Sequence, residues 1–137
     1  MNYIQITSST DLSELNKFRP YKCVIIADKI VPKNTQWKIS ESLVNTGCYY
    51  MMAWGENCSS WDDSVDEVNI MKFIDLESIP NKEFVYTSWH HNEDLEEVFW
   101  FCKNCANHKQ HSDMNTILIH IGSTQSKEQI INTYNKA

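Results

Sequence analysis

Four runs of the chain are apolar enough, and short enough, to be strands buried on both faces: Cys23–Ala27, Tyr49–Trp54, Phe84–Trp89 and Thr116–Ile121. They are rich in β-branched and aromatic side chains, and the first is continuously apolar. Between them the apolar spacing changes to a helical period. Thr35–Thr46 puts Trp37, Leu43 and Val44 on one side and stops at Gly47. Ser59 to Asn69 spaces Trp61, Val65 and Val68 as a helix does. Glu93–Asn107 carries the widest stripe, formed by Leu95, Val98, Phe99, Cys102, Cys105 and Ala106. Lys127–Asn135 turns Ile130, Ile131 and Tyr134 to one side, with Ser126 and Gln129 at the spacing of a capping box.

Strand and helix therefore alternate four times. Right-handed crossovers make that a single three-layer α/β domain: a mainly parallel, Rossmann-like sheet of four to five strands with helices on both faces. Tyr3, Ile4 and Ile6 predict the additional edge strand, and Leu12, Leu15 and Phe18 a short helix before Pro20. Ile70–Lys82, which contains Pro80, reads as an irregular connection.

Composition narrows the classes. At 137 residues, 42% hydrophobic and 22% charged, the chain has the profile of one soluble globular domain. No apolar run approaches the ~18 residues of a membrane span, and the N-terminus has neither a basic nor an apolar leader, so a cytoplasmic location is expected. Twelve Lys and Arg stand against eighteen Asp and Glu, a net charge of -6, and Arg19 is the sole arginine. That balance argues against nucleic acid and anionic membrane as partners.

The cysteines are Cys23, Cys48, Cys58, Cys102 and Cys105, an odd number that fits free thiols in a reducing compartment. Cys23 and Cys48 border apolar runs and read as core thiols. Cys102, Cys105, His108 and His111 recur at every third residue, which invites a zinc reading. On a helix four such positions drift about half way round and do not converge on one ion. Buried Cys102 and Cys105 on the helix stripe, followed by histidines in a polar loop, are the expectation, with no metal assigned.

Ligands of open α/β sheets bind beyond the carboxyl ends of the strands. Asp28 leaves the first run and His120 and Gly122 close the fourth. The second exit carries Trp54, Glu56, Cys58, Trp61, Asp62 and Asp63, followed by Asp66 and Glu67; the third carries Trp89, His90, His91, Asn92 and Glu93, followed by Asp94, Glu96 and Glu97. Half of the acidic residues thus sit on two connections opening on one edge. Each has an ordinary explanation taken singly: carboxylates complement a helix N-terminus, Asn92 is a natural N-cap, and Trp61 begins a core stripe with Val65 and Val68. The ordinary explanations account less well for three tryptophans among the acids.

Three kinds of chemistry fit these residues. A nucleophilic enzyme would use Cys58 at a helix N-terminus, His90 as base and Asp28 to orient it. A metal-dependent hydrolase would draw on Asp28, Asp62, Asp63, His90 and Glu93. A non-catalytic interaction module would use Trp54, Glu56, Trp61, Asp62, Asp63, Asp66, Trp89, His90 and Glu93 to hold a basic protein, as an immunity or antitoxin-type inhibitor of a toxin or nuclease does. The third reading leads. No cofactor is implied, because the exit Asp28–Thr35 contains no glycine and so neither a dinucleotide fingerprint nor a P-loop.

The segment from Trp54-Gly-Glu-Asn-Cys58 through Trp61-Asp-Asp63-Ser-Val65-Asp66, with Trp89-His90 and Leu95-Glu-Glu-Val-Phe99-Trp100-Phe101, resembles a family of small uncharacterised bacterial proteins, a domain of unknown function. The resemblance spans about Cys48 to Ile121. It implies a bacterial or phage source and one α/β domain, and it assigns no catalytic residue.

Overall fold

A computed structural model describes every residue except Ser8. Five strands form one sheet: β1 (Asn2–Gln5), β2 (Tyr21–Ala27), β3 (Cys48–Gly55), β4 (Tyr86–His90) and β5 (Asn115–Ile121). Their spatial order is β1-β5-β2-β3-β4, and every pairing is parallel. The helices are α1 (Lys33–Asn45), α2 (Cys58–Lys72), α3 (Leu95–Asn104) and α4 (Lys127–Lys136).

Alternation along the strands divides the core in two. Cys23, Ile25 and Ala27 of β2 face Ile39 and Leu43 of α1 and Trp61, Val65 and Val68 of α2. Val24 and Ile26 face Val98, Phe99 and Cys102 of α3 and Ile130 of α4. β2 is central and buried on both sides, which is why its sequence shows no polar alternation. The 3₁₀ segment Leu12–Phe18, begun by Asp11 accepting from the Ser13 amide, places Leu15 in the α1/α2 layer.

Several boundaries differ from the sequence expectation for identifiable reasons. The third predicted run, Phe84–Trp89, starts two residues late, at Tyr86. Ahead of it, buried Asn69 accepts from the Val85 amide (3.0 Å) and donates to the Glu83 carbonyl (3.1 Å), holding that backbone outside the sheet. α3 ends at Asn104 rather than Asn107, because Lys22 on β2 donates its ammonium to the Cys102 (2.5 Å) and Ala106 (3.2 Å) carbonyls. Asn92 is not its N-cap: it sits at φ 58° in the preceding turn, and Asp94 takes the cap position, its amide donating to Glu97. The Ser126/Gln129 capping box does not form. Ser126 is itself helical, at φ -90° and ψ -2°, and Ser123 instead caps the short turn Thr124–Ser126 that leads into α4.

Candidate functional site

The strand register places Gln5, His120, Ile26, Trp54 and His90 side by side in one row near the carboxyl edge. This row lies on the face that α3 and α4 cover, since Ile26 and Trp54 belong to that core. Two of its members are buried histidines, each holding a carboxylate on one ring nitrogen and a hydroxyl on the other.

The first lies where the connections part. The chain leaves β2 toward α1 on one face and leaves β5 toward α4 on the other, which creates the crevice where α/β sheets bind ligands. Here the crevice is occupied by the protein's own side chains. His120, fully buried, sets Nε2 2.6 Å from Asp28 Oδ2 and Nδ1 2.6 Å from the Tyr3 hydroxyl. With Asp28 ionised, Nε2–H donates to the carboxylate and Nδ1 accepts from Tyr3. Gly122 makes the close approach possible, because a Cβ there would lie 2.0 Å from Asp28 Oδ2. Burial, and then the charge of Asp28, push the Tyr3 phenol up, so it is a hydrogen-bond donor rather than an activated oxygen. The set ties β1, β2 and β5 together.

The second is on β4. His90 Nδ1 is 2.9 Å from Glu93 Oε2, and its Nε2 is 2.9 Å from Ser88 Oγ. Phe101 of α3 meets the His90 ring edge to face at 5.0 Å. Trp54 is half-buried, its indole donating to the Glu93 carbonyl at 2.7 Å and so fixing the turn that carries the carboxylate.

Cys58, His90 and Asp28 are not brought together. Asp28 is bound to His120 and His90 to Glu93 and Ser88, while Cys58 faces the α1/α2 core. Cys58, the candidate nucleophile, is the first residue of α2, turned inward and only 3% exposed, and the expectation that Cys105 is buried on the helix stripe is corrected, because it lies just past the end of α3 and is exposed. Cys23 and Cys48 are buried with sulfurs 3.6 Å apart, and burial pushes the Cys102 thiol up to about 11. A brief maleimide pulse on native protein should therefore label Cys105 first, with Cys23, Cys48, Cys58 and Cys102 following only on unfolding. Peptide mass mapping reads the order.

The histidines of the Cys102–His111 stretch are also placed differently from a polar loop. His108 is buried, with Nε2 2.8 Å from the Phe84 carbonyl; His111 Nε2 is 2.8 Å from the Lys82 carbonyl and its ring stacks on Tyr49 at 3.8 Å. They latch this segment over the approach to β4.

The remaining sequence candidates divide by face. Trp61 is 2% exposed and lies inside the α1/α2 core, so it cannot reach a partner. Trp89 is 51% exposed. It is aligned with Ala53, which places it on the α1/α2 face, and β4 is the sheet's last strand, so no neighbouring strand covers it. Thr87, two residues earlier on the same face, donates to Asp66 of α2 at 2.7 Å. Asp62 lies one turn before Asp66. Burial, the Asp66 carboxylate beside it and Asp63 raise Asp62 from 3.8 to about 6, against the pull of the Thr87 hydroxyl. Beyond Trp89, Glu56, Cys58, Ser59 and His91 border a shallow cleft of about 360 Å³. Asp63 is exposed on the outer side of α2.

The family model for a domain of unknown function, DUF7684, matches residues 1–137. The chain belongs to the DUF7684 family. No curated protein matches it. In this DUF7684 chain no helix among the described residues is long and apolar enough to cross a membrane. Sequence reasoning missed the hydroxyl partners of the two histidines in the DUF7684 row, Tyr3 and Ser88. Ser88 was findable in principle, because a hydroxyl two residues before a strand histidine shares its face. Tyr3 was not, since its partner is 117 positions away.

Proposed function

We propose that the edge formed by α2 and β4 binds a basic protein, as an interaction surface of the inhibitor, immunity or antitoxin kind that itself needs no catalysis. The observation that carries the reading is Trp89, half exposed on the face of β4 where Thr87 binds Asp66 and where burial, then the neighbouring Asp66 carboxylate, raise Asp62 to about 6. A fold without a use for that arrangement gains nothing from it: the exposed indole adds no core, and crowding Asp62 against Asp66 opposes its ionisation. A cation from a partner relieves the repulsion, and a large flat ring with few rotamers is the side chain favoured as an interface anchor. Glu56, Asp63 and Glu67 extend the negative field and steer association.

The raised value fixes a pH dependence. Asp62 binds its proton more tightly in the fold than in the unfolded chain, so its protonated form stabilises the protein. That contribution is fully present below about 3.8 and is lost as pH rises through about 6. A cationic partner favours the ionised form. Affinity should therefore be weaker at pH 5 than at pH 7, with proton release on binding between those values. Asp62→Asn should abolish that proton release, as titration calorimetry in two buffers of different ionisation enthalpy would show.

Kinetics against the captured partner test the reading further. Trp89→Ala should weaken binding by ~2 kcal/mol or more, mainly through faster dissociation. Asp66→Asn should mainly slow association, and added salt should imitate it. Unchanged dissociation in Trp89→Ala would remove the anchor on which the reading depends.

A further inference from the structure

Ser88, His90 and Glu93 lie on the opposite face of β4 from Trp89 and are independent of the binding edge. Their connectivity is that of a nucleophile, a base and an orienting acid. Glu93 sits 2.9 Å from Nδ1, which fixes the tautomer with the proton on Nδ1 and leaves the Nε2 lone pair toward Ser88 Oγ, also at 2.9 Å. Such a relay is recognised by geometry and roles, not by the order of its members in the chain. The Glu93 backbone is held by the Trp54 indole, and Asn92 in the same turn is one of the non-glycine residues at positive φ, 58°. Turns held in that region concentrate at sites where a side chain must be aimed.

The Tyr3–His120–Asp28 set uses the same connectivity and provides the contrast. There the hydroxyl is a phenol pushed up by burial and the histidine is fully enclosed. Ser88 is a primary alcohol, partly exposed, on a strand with no neighbour beyond it. The same side of β4 carries Tyr86, which approaches Tyr50 at 5.7 Å, and Tyr50 in turn approaches Phe101 at 6.2 Å. These rings put aromatic surface on the hydroxyl's side of β4, while the exposed Glu93, Glu96 and Glu97 that follow the strand oppose an anion.

The geometry points to Ser88 as an acyl-transfer nucleophile that takes neutral esters with an apolar or aryl acyl group, with His90 as its base and Glu93 as the positioning residue. Oγ adds to the carbonyl carbon as its proton passes to Nε2. Nε2 then returns that proton to the leaving alkoxide as the ester C–O bond breaks. Water repeats the sequence on the acyl-serine, releasing the acid and restoring Ser88.

An alkyl fluorophosphonate tests this on the whole chain, because it captures the first step: an O–P bond forms at Ser88, the P–F bond breaks, fluoride leaves and the hydroxyl proton goes to His90. Peptide mapping should place the adduct on Ser88. Ser88→Ala should abolish it, and Glu93→Gln, a conservative change at a partly exposed carboxyl, should slow labelling at least about tenfold. Glu128→Gln on α4 should label as wild type. p-Nitrophenyl butyrate turnover should fall in the same order. No adduct on Ser88, or labelling equally fast in Glu93→Gln, overturns the proposal, and circular dichroism of each variant separates loss of chemistry from loss of fold.

Discussion

Trp61→Ala should lower stability by about 3–5 kcal/mol, whereas Trp89→Ala should change it by less than about 0.5 kcal/mol. The two residues read alike in the sequence, each a tryptophan next to acids at a strand exit. In the fold Trp61 is among the largest fully enclosed side chains, packed between α1, α2 and the sheet. Removing it leaves a cavity that neighbours held by five paired strands cannot collapse to fill. Trp89 loses only a partial contact with the edge. Urea unfolding checks both, with the midpoint falling sharply for the first and the slope constant in both. Equal losses would mean that Trp89 is a core residue and would remove the main support for the binding edge.

Gly55→Ala should cost about 3 kcal/mol or more. Its φ of 101° is strained for any residue with a side chain, and an added Cβ would lie 2.2 Å from the Ala27 carbonyl oxygen. The clash is with backbone, so no rotamer relieves it. That same oxygen accepts the Glu56 amide at 2.8 Å, the bond that folds the β3 exit against β2. Separating them would also move the α2 N-terminus. Gly47→Ala is the control: its φ of 94° carries similar strain, but the nearest atoms to its Cβ are side-chain atoms of Arg19, the closest at 2.6 Å, rather than backbone, so the loss should be smaller. Equal losses at the two glycines would show that backbone strain alone, not the contact with β2, sets the cost.

The parallel α/β fold was legible because each segment carries its own local pattern, helical spacing in the helices and, most plainly in β2, a short unbroken apolar run. The boundaries that moved did so through single long-range bonds, Asn69 to the backbone before β4 and Lys22 to the end of α3, which no local pattern encodes. The acidic edge was legible as composition. Its division into a buried Trp61 and an exposed Trp89 was not, because that depends on β4 being the last strand, and strand order is set by crossovers rather than by the strands. Cys58 shows how small the margin is: α2 begins one residue earlier than its periodicity predicts, and that residue is turned into the core. The two histidine sets were invisible for the same reason as the strand order, since the row joining Gln5, His120, Ile26, Trp54 and His90 exists only once five separate segments are in register.

The binding edge is tested most directly by placing the photo-crosslinker p-benzoylphenylalanine at position 89 and, as a control, at position 100, since Trp100 on α3 is comparably exposed at 55%. Irradiation in the source organism, followed by mass spectrometry of the adducts, reads which protein lies against each position. The account predicts one dominant adduct from position 89, with a protein whose crosslinked surface is rich in Lys and Arg, reduced by Asp62→Asn and absent from position 100. No adduct from position 89, or the same adducts from both positions, would contradict it.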